Sequence, residues 1–189
     1  MRSQIVGVEM FSHLSKAELA QVEGAVVSAF IRAHKPKVTA VNGVDYELRQ
    51  ATADDLTKVQ ELLVRAGLPT AGVENNIIHF LLATSKNNEL LAVIGMERAG
   101  ANGLLRSLVT DPNFCKRGIA AELVSSALAV ARKQGVKRLY LLTQTAEKYM
   151  KRFGFKTIER QEIPEDLLKQ SQLTAACPAC STCMSLELE

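Results

Sequence analysis

The chain has 189 residues, 47% of them hydrophobic and 23% charged, with a net charge of +3; these values fit one globular core plus an appendage at about 150 residues per domain. The small charge, the lack of Trp and an aromatic content of only 5% exclude the basic footprint and the stacking platform of a nucleic-acid binder. No apolar run approaches the roughly 20 residues that span a bilayer, and the short, broken apolar stretch over residues 5–11 is no signal peptide.

Cysteine placement fits a reducing compartment: Cys115 stands alone, while Cys177, Cys180 and Cys183 are bunched near the C-terminus. A disulfide framework would spread them between elements. A cytoplasmic protein is expected, with no membrane partner.

Residues 1–44 read as a helical extension and residues 45–189 as the domain proper. In the extension, Ser15 and Glu18 have capping-box spacing. Leu19, Val22, Val26 and Phe30 then recur at helical intervals, predicting a helix docked on the domain or on a second copy, as in a homodimer. From Tyr46 strands and helices alternate. A strand is expected over 46–50, and a helix capped by Thr52 or Asp54 runs to Arg65. The Gly67-Leu68-Pro69 stretch ends that helix, and residues 73–78 form a short second one. Strands over 79–84 and 90–98 are joined by a hairpin turn at 85–89. Asn102-Gly103 is a hairpin signal leading into a strand over 104–110. A loop over 111–117 precedes a long helix over 118–134, closed by Gly135. A strand over 138–142, a helix over 146–152, a strand over 155–158, a short helix after Pro164 and a strand over 184–188 complete the order. This is an α/β or α+β chain with a mixed sheet flanked by helices.

The most informative segment is the loop from Asp111 to Ala120. It leaves an apolar strand, passes Cys115, Lys116 and Arg117, and opens the long helix at Gly118, Ile119 and Ala120. The first N–H groups of a helix lack partners and carry partial positive charge, which suits a phosphate. Gly118 and Ala120 let backbone come close to a ligand, and Lys116 and Arg117 add positive charge.

Strand, Pro112, loop and helix resemble the acetyl-CoA site of the GNAT-superfamily N-acetyltransferases, whose loop reads Arg/Gln-x-x-Gly-x-Gly/Ala. The strand over 139–143, Ala146 and Phe153-Gly154-Phe155 agree with that pattern downstream. The resemblance covers about residues 46–188 and implies the GNAT fold with an extra N-terminal helix. It also implies that Cys115, Lys116, Arg117, Gly118, Ile119 and Ala120 cradle the diphosphate of CoA. Leu108, Val109 and Thr110 would lie beside the pantetheine arm, with an N–H near Leu108 on the thioester oxygen. The implied reaction is attack of a neutral amine on acetyl-CoA, with no metal required.

The segments 67–74, 104–109 and 141–143, with Cys177-Pro178 and Cys183-Met184, are similar to N-acetyltransferases of arsenic-resistance operons. The Leu-Thr segment also resembles the acetyltransferase domain of N-acetylglutamate synthase. Both imply a small amino-acid-like acceptor, including arsenic- or phosphorus-containing glutamate analogues. Three positions depart from the family pattern. Cys115 replaces Arg or Gln, Leu104 stands where many members carry a Glu base, and Met150 stands where a general-acid Tyr is common. Glu97 is therefore the candidate base and Tyr149 the candidate acid. Arg106, with Ser107 and His79, is the candidate substrate contact. Strand alternation places Leu104, Arg106 and Leu108 on one face, where a guanidinium would hold a substrate carboxylate by paired hydrogen bonds. Cys177, Cys180 and Cys183 are either three reduced thiols or ligands for a soft ion, although a structural zinc site wants a fourth ligand. A GNAT-fold sensor that has lost catalysis stays open beside the enzyme.

Overall fold

The computed structural model describes residues 45–170 and 181–189. The expected N-terminal helix, Cys177 and Cys180 lie outside the described residues. Seven strands form one sheet: β1 (Tyr46–Gln50), β2 (Phe80–Ser85), β3 (Leu90–Ala99), β4 (Asn102–Thr110), β5 (Arg138–Thr143), β6 (Lys156–Ile158) and β7 (Thr182–Glu187). Their spatial order is β1-β2-β3-β4-β5-β7-β6. All neighbours are antiparallel except β4 and β5, which run parallel. Five helices accompany it: α1 (Leu56–Arg65), α2 (Val73–Asn76), α3 (Ile119–Lys133), α4 (Glu147–Lys151) and α5 (Glu165–Gln170).

Strand alternation sorts side chains to two faces. Leu81, Ile94, Leu105, Leu139, Leu141 and Met184 point to the face covered by α3 and α4, against Leu123, Ala127 and Met150. On the other face, Phe80, Leu82 and Val93 meet Val59, Leu62 and Leu63 of α1. Leu104, Tyr140 and Cys183 meet Leu167 of α5. Residues 59, 62 and 63 lie on one stripe of α1 at helical spacing, which is why that helix docks by a single face.

Three sequence expectations change. The β3–β4 turn falls on Gly100 and Ala101, because Ala99 pairs with Asn102 and Gly100 takes φ +57°. The Asn102-Gly103 signal instead lies inside β4. Gly103 sits close to its neighbours there: a Cβ would stand 2.8 Å from Leu139 Cδ2, which would have to shift. Similarly, His79 is not the first residue of β2 but ends a 3-10 turn over Ile77–His79.

The third change concerns β4. Val93 pairs with Val109 and Gly95 with Arg106, so Ile94 faces both Ser107 and Leu108. The extra residue is a β-bulge, and Ser107 takes φ +57°, a conformation costing a non-glycine residue roughly 1–2 kcal/mol. The bulge reverses the alternation. Leu104 and Arg106 share the α1/α5 side as expected, but Leu108 turns to the α3 side and Val109 joins the α1 cluster.

Candidate active site

Past the bulge the sheet opens. β4 and β5 pair only from Asn102 with Arg138 to Leu105 with Leu141. From Arg106 onward the β5-facing edge of β4 has no strand partner among the described residues. The wedge between them is a cleft of about 450 Å³. Its walls are Ser107 and Leu108 of β4, Leu141, Leu142 and Thr143 of β5, Met150 of α4, and Gly67, Leu68 and Pro69 from the loop after α1. Thr143 also shapes the far wall. Its hydroxyl oxygen accepts the N–H groups of Thr145 at 3.2 Å and Ala146 at 2.8 Å, holding the entry to α4.

The loop between β4 and α3 is built around Asp111, which is buried. Its N–H donates to the Leu91 carbonyl at 2.8 Å, and its Oδ1 accepts the Asn113 N–H at 3.0 Å, capping the turn Pro112–Phe114. Oδ2 meets Arg65 Nη1 at 3.3 Å, linking the loop to the end of α1. Lys116 (φ +62°) and Gly118 (φ +81°) are both left-handed. Alternation between left- and right-handed residues turns successive N–H groups into a concave anion nest, and here the nest abuts the first turn of α3. The Gly118 carbonyl is already taken by the N–H groups of Ala121 and Glu122. The Arg117 guanidinium lies over the Phe114 ring, 5.9 Å from its centre. Cys115 is exposed, with its thiol 3.6 Å from the Asp111 carbonyl. Behind the nest, Tyr46 of β1 donates to Glu122; burial first, and Glu122 second, push the Tyr46 hydroxyl pKa up.

Glu97 and Arg106 are brought together, as an ion pair in which both side chains are almost wholly buried. Arg106 Nη2 donates to the Ala71 carbonyl at 2.8 Å and Nε to Ser107 Oγ at 3.2 Å. Its side chain is 1% exposed: Arg106 lines the cleft, but in this structure its guanidinium is engaged by the acidic neighbour on β3, a partner that alternation within β4 alone does not reveal.

His79 is placed apart. It borders a small cavity with Ala127 and Val130 of α3 and Gln134 just past its end, on the face opposite Arg106. Tyr149 packs edge-to-face on Phe153, with ring centres 5.5 Å apart, and under Arg152. Burial raises its pKa, and it is Met150, not Tyr149, that reaches the cleft wall. Leu108 lines the cleft, whereas Val109 packs toward α1. Sequence reading missed Asp111, Arg65 and Ala71. Only Asp111 left a signal, as an Asx residue before Pro112 at a loop entrance.

What this geometry can hold is an extended arm between two strands, with an anionic group at the head of α3. The family described as Acetyltransferase (GNAT) matches residues 46–155, over half of the chain, and the protein belongs to that family. Over 79 residues it is 32% identical to an uncharacterised N-acetyltransferase of Chlorobaculum tepidum, covering 42% of this chain and 48% of that one. The chain thus spans about half the length of that relative. Its fold is similar to N-acetylglutamate synthase from Neisseria gonorrhoeae solved with coenzyme A and N-acetyl-glutamate. That likeness has a TM-score of 0.66 at 21% identity, over 76% of this chain and 35% of that chain. A GNAT-family acetyltransferase from Staphylococcus aureus is similar at TM-score 0.64 and 14% identity, over 76% and 99% of the two chains. These likenesses establish the GNAT fold, with its mixed seven-stranded sheet. Among the described residues, no helix is long and apolar enough to cross a membrane, and no three His, Cys, Asp or Glu side chains cluster as metal ligands.

Proposed function

We propose that the protein transfers the acetyl group of acetyl-CoA to the amine of a small, amino-acid-like acceptor. The observation that carries this reading is the parting of β4 from β5 at the Ser107 bulge, directly in front of the nest at Lys116 and Gly118. The N–H groups from Lys116 to Ala120 hold the diphosphate, aided by the Lys116 and Arg117 charges. The free edge of β4 from Leu108 to Thr110 takes the pantetheine arm as an added strand. Acetyl-CoA supplies the thioester; an N–H near Leu108 faces its carbonyl oxygen and stabilises the negative charge that grows there.

An α-amine with a pKa of about 7.7–8.0 is mostly protonated at pH 7, so a proton must leave before attack. The cleft walls carry hydroxyls, Ser107 and Thr143, but no carboxylate or imidazole among the described residues that line them. Water in the cleft is therefore the first acceptor, and Glu97 sits behind it, held by Arg106. The preference for a small acceptor over a protein tail rests on the sequence resemblance. The acidic character of that acceptor, including arsenic- and phosphorus-containing glutamate analogues, rests on the sequence resemblance to arsenic-resistance N-acetyltransferases.

The test is release of CoA thiol from acetyl-CoA against glutamate, aspartate, phosphinothricin, an arsenic-containing glutamate analogue and a histone-tail peptide. Turnover with one of the small acids is expected. Preference for the peptide would overturn the acceptor assignment. Saturable acetyl-CoA binding without any turnover would favour a sensor, the second reading, which the lack of an acid or base in the described walls supports.

A further inference from the structure

The guanidinium of Arg106 reaches two other pieces of chain and its own neighbour with three different nitrogens: Glu97 of β3 through Nη1, the Ala71 carbonyl through Nη2, and Ser107 Oγ through Nε. The first is a counter-charge, the second belongs to a loop beside the cleft, and the third lines the cleft. Ser107 is the bulge residue itself. Ala71 belongs to the 66–72 loop, whose Gly67, Leu68 and Pro69 form the wall opposite β5. That loop meets the core through Leu68, which packs against the α1 cluster, and its own backbone bonds are local. Its backbone bonds at Gly67, Leu68 and Val73 reach only Val64, Leu63 and Thr70. Left-handed glycines at both ends, Gly67 (φ +67°) and Gly72 (φ +76°), make its path dependent on whatever ties it down. Its start is tied by Arg65 to the buried Asp111 at 3.3 Å, but the Arg65 end of the pair is exposed, and a solvated long side chain holds its partner loosely. Its end is tied by Arg106, from a fully buried position.

We infer that Arg106 is a positioning residue: it clamps the 66–72 loop to the β4 bulge, and the clamp fixes the width of the acceptor side of the cleft. Glu97 is the counter-charge that keeps the fork in one orientation. A buried guanidinium deprived of its partner is strongly disfavoured, so the fork cannot swing out while the loop stays in place. The planar geometry of arginine matters, since its fork reaches from three separate nitrogens in a fixed geometry, whereas an ammonium donates from one compact point. Discrimination for small amines then comes from the loop being held in, and not from Arg106 binding the substrate. The kinetic part of this inference rests on the acetyl-transfer reading; the structural part does not.

Arg106→Lys keeps a positive charge opposite Glu97 and releases the loop. Hydrogen exchange of the amides over 66–72 is expected to accelerate about tenfold or more. In the acetyl-transfer assay, KM for the amine rises about tenfold, while KM for acetyl-CoA stays within about twofold. Should Arg106→Lys fail to fold, Glu97→Gln serves. It retains an oxygen for Nη1 but lifts the counter-charge, and the same loop amides speed up by a smaller factor. Unchanged exchange over 66–72 in either folded variant overturns the clamp. So does an Arg106→Lys enzyme that loses acidic amines but keeps neutral ones at wild-type KM, because that pattern belongs to a carboxylate ligand. A wild-type protein without turnover defeats the acetyl-transfer reading and leaves the exchange comparison standing.

Discussion

Asp55 closes the turn into α1 with both carboxylate oxygens engaged. Arg49 donates to each at 2.7 Å, and the Thr52 N–H donates to one at 2.8 Å. The Arg49 hydrogen bonds, outweighing the cost of burial, lower its pKa to about 2. A carboxylate depressed in the folded state adds stability that is complete above its unfolded pKa near 4 and is lost as pH falls from there through 2. At 1.36 kcal/mol per unit the contribution is roughly 2 kcal/mol. Asp55→Asn is expected to lower the melting temperature at pH 7 and to flatten its fall between pH 4 and pH 2, which thermal unfolding across that range would measure. The Thr52 cap was legible because its partner is three residues away. The partner of Arg106 was not. Glu97 lies on a different strand, and only the β3–β4 register brings the two together, so a cation in a strand reads equally as ligand or as half of an ion pair.

At the scale of elements, the anion nest was the most legible part of the site, since everything it needs is contiguous: a strand end, Pro112, two cations, Gly118 and an Ala-rich helix start. Substituting Gly118 by Ala forces a Cβ into φ +81°, at a cost of roughly 1–2 kcal/mol. The nest then shifts toward a right-handed path and its N–H groups diverge. Gly118→Ala is expected to weaken acetyl-CoA binding by about tenfold or more in calorimetry, while exchange over the 66–72 loop stays as in the wild type. The bulge at Ser107 was not legible. Nothing in Arg106-Ser107-Leu108 departs from an ordinary strand, and a register shift is a property of two strands, so the expected common face of Leu104, Arg106 and Leu108 failed at that residue.

For the whole molecule, element order fixed the fold class, while the position of the opening depended on where β4 and β5 stop pairing. Only four register pairs join them. A ligand that binds the folded state alone stabilises it by about 2.7 kcal/mol at a hundred times its Kd. For a chain of this length each kcal/mol is worth about 2–4 °C. Saturating acetyl-CoA is therefore expected to raise the melting temperature by roughly 5–10 °C; a shift within about 1 °C would mean that the arm does not bridge the two strands.

The short seam between β4 and β5 also has a mechanical meaning. Strands β1 to β4 form one stiff antiparallel plate, and β5, β7 and β6 form another. Between them the backbone ladder is brief and one-sided, so slow bending of the molecule concentrates along that line. An arm lodged in the slot acts as a splint across it. Pulled apart by its two plates, the protein would tear first at this seam, and more force would be needed with the slot filled than with it empty.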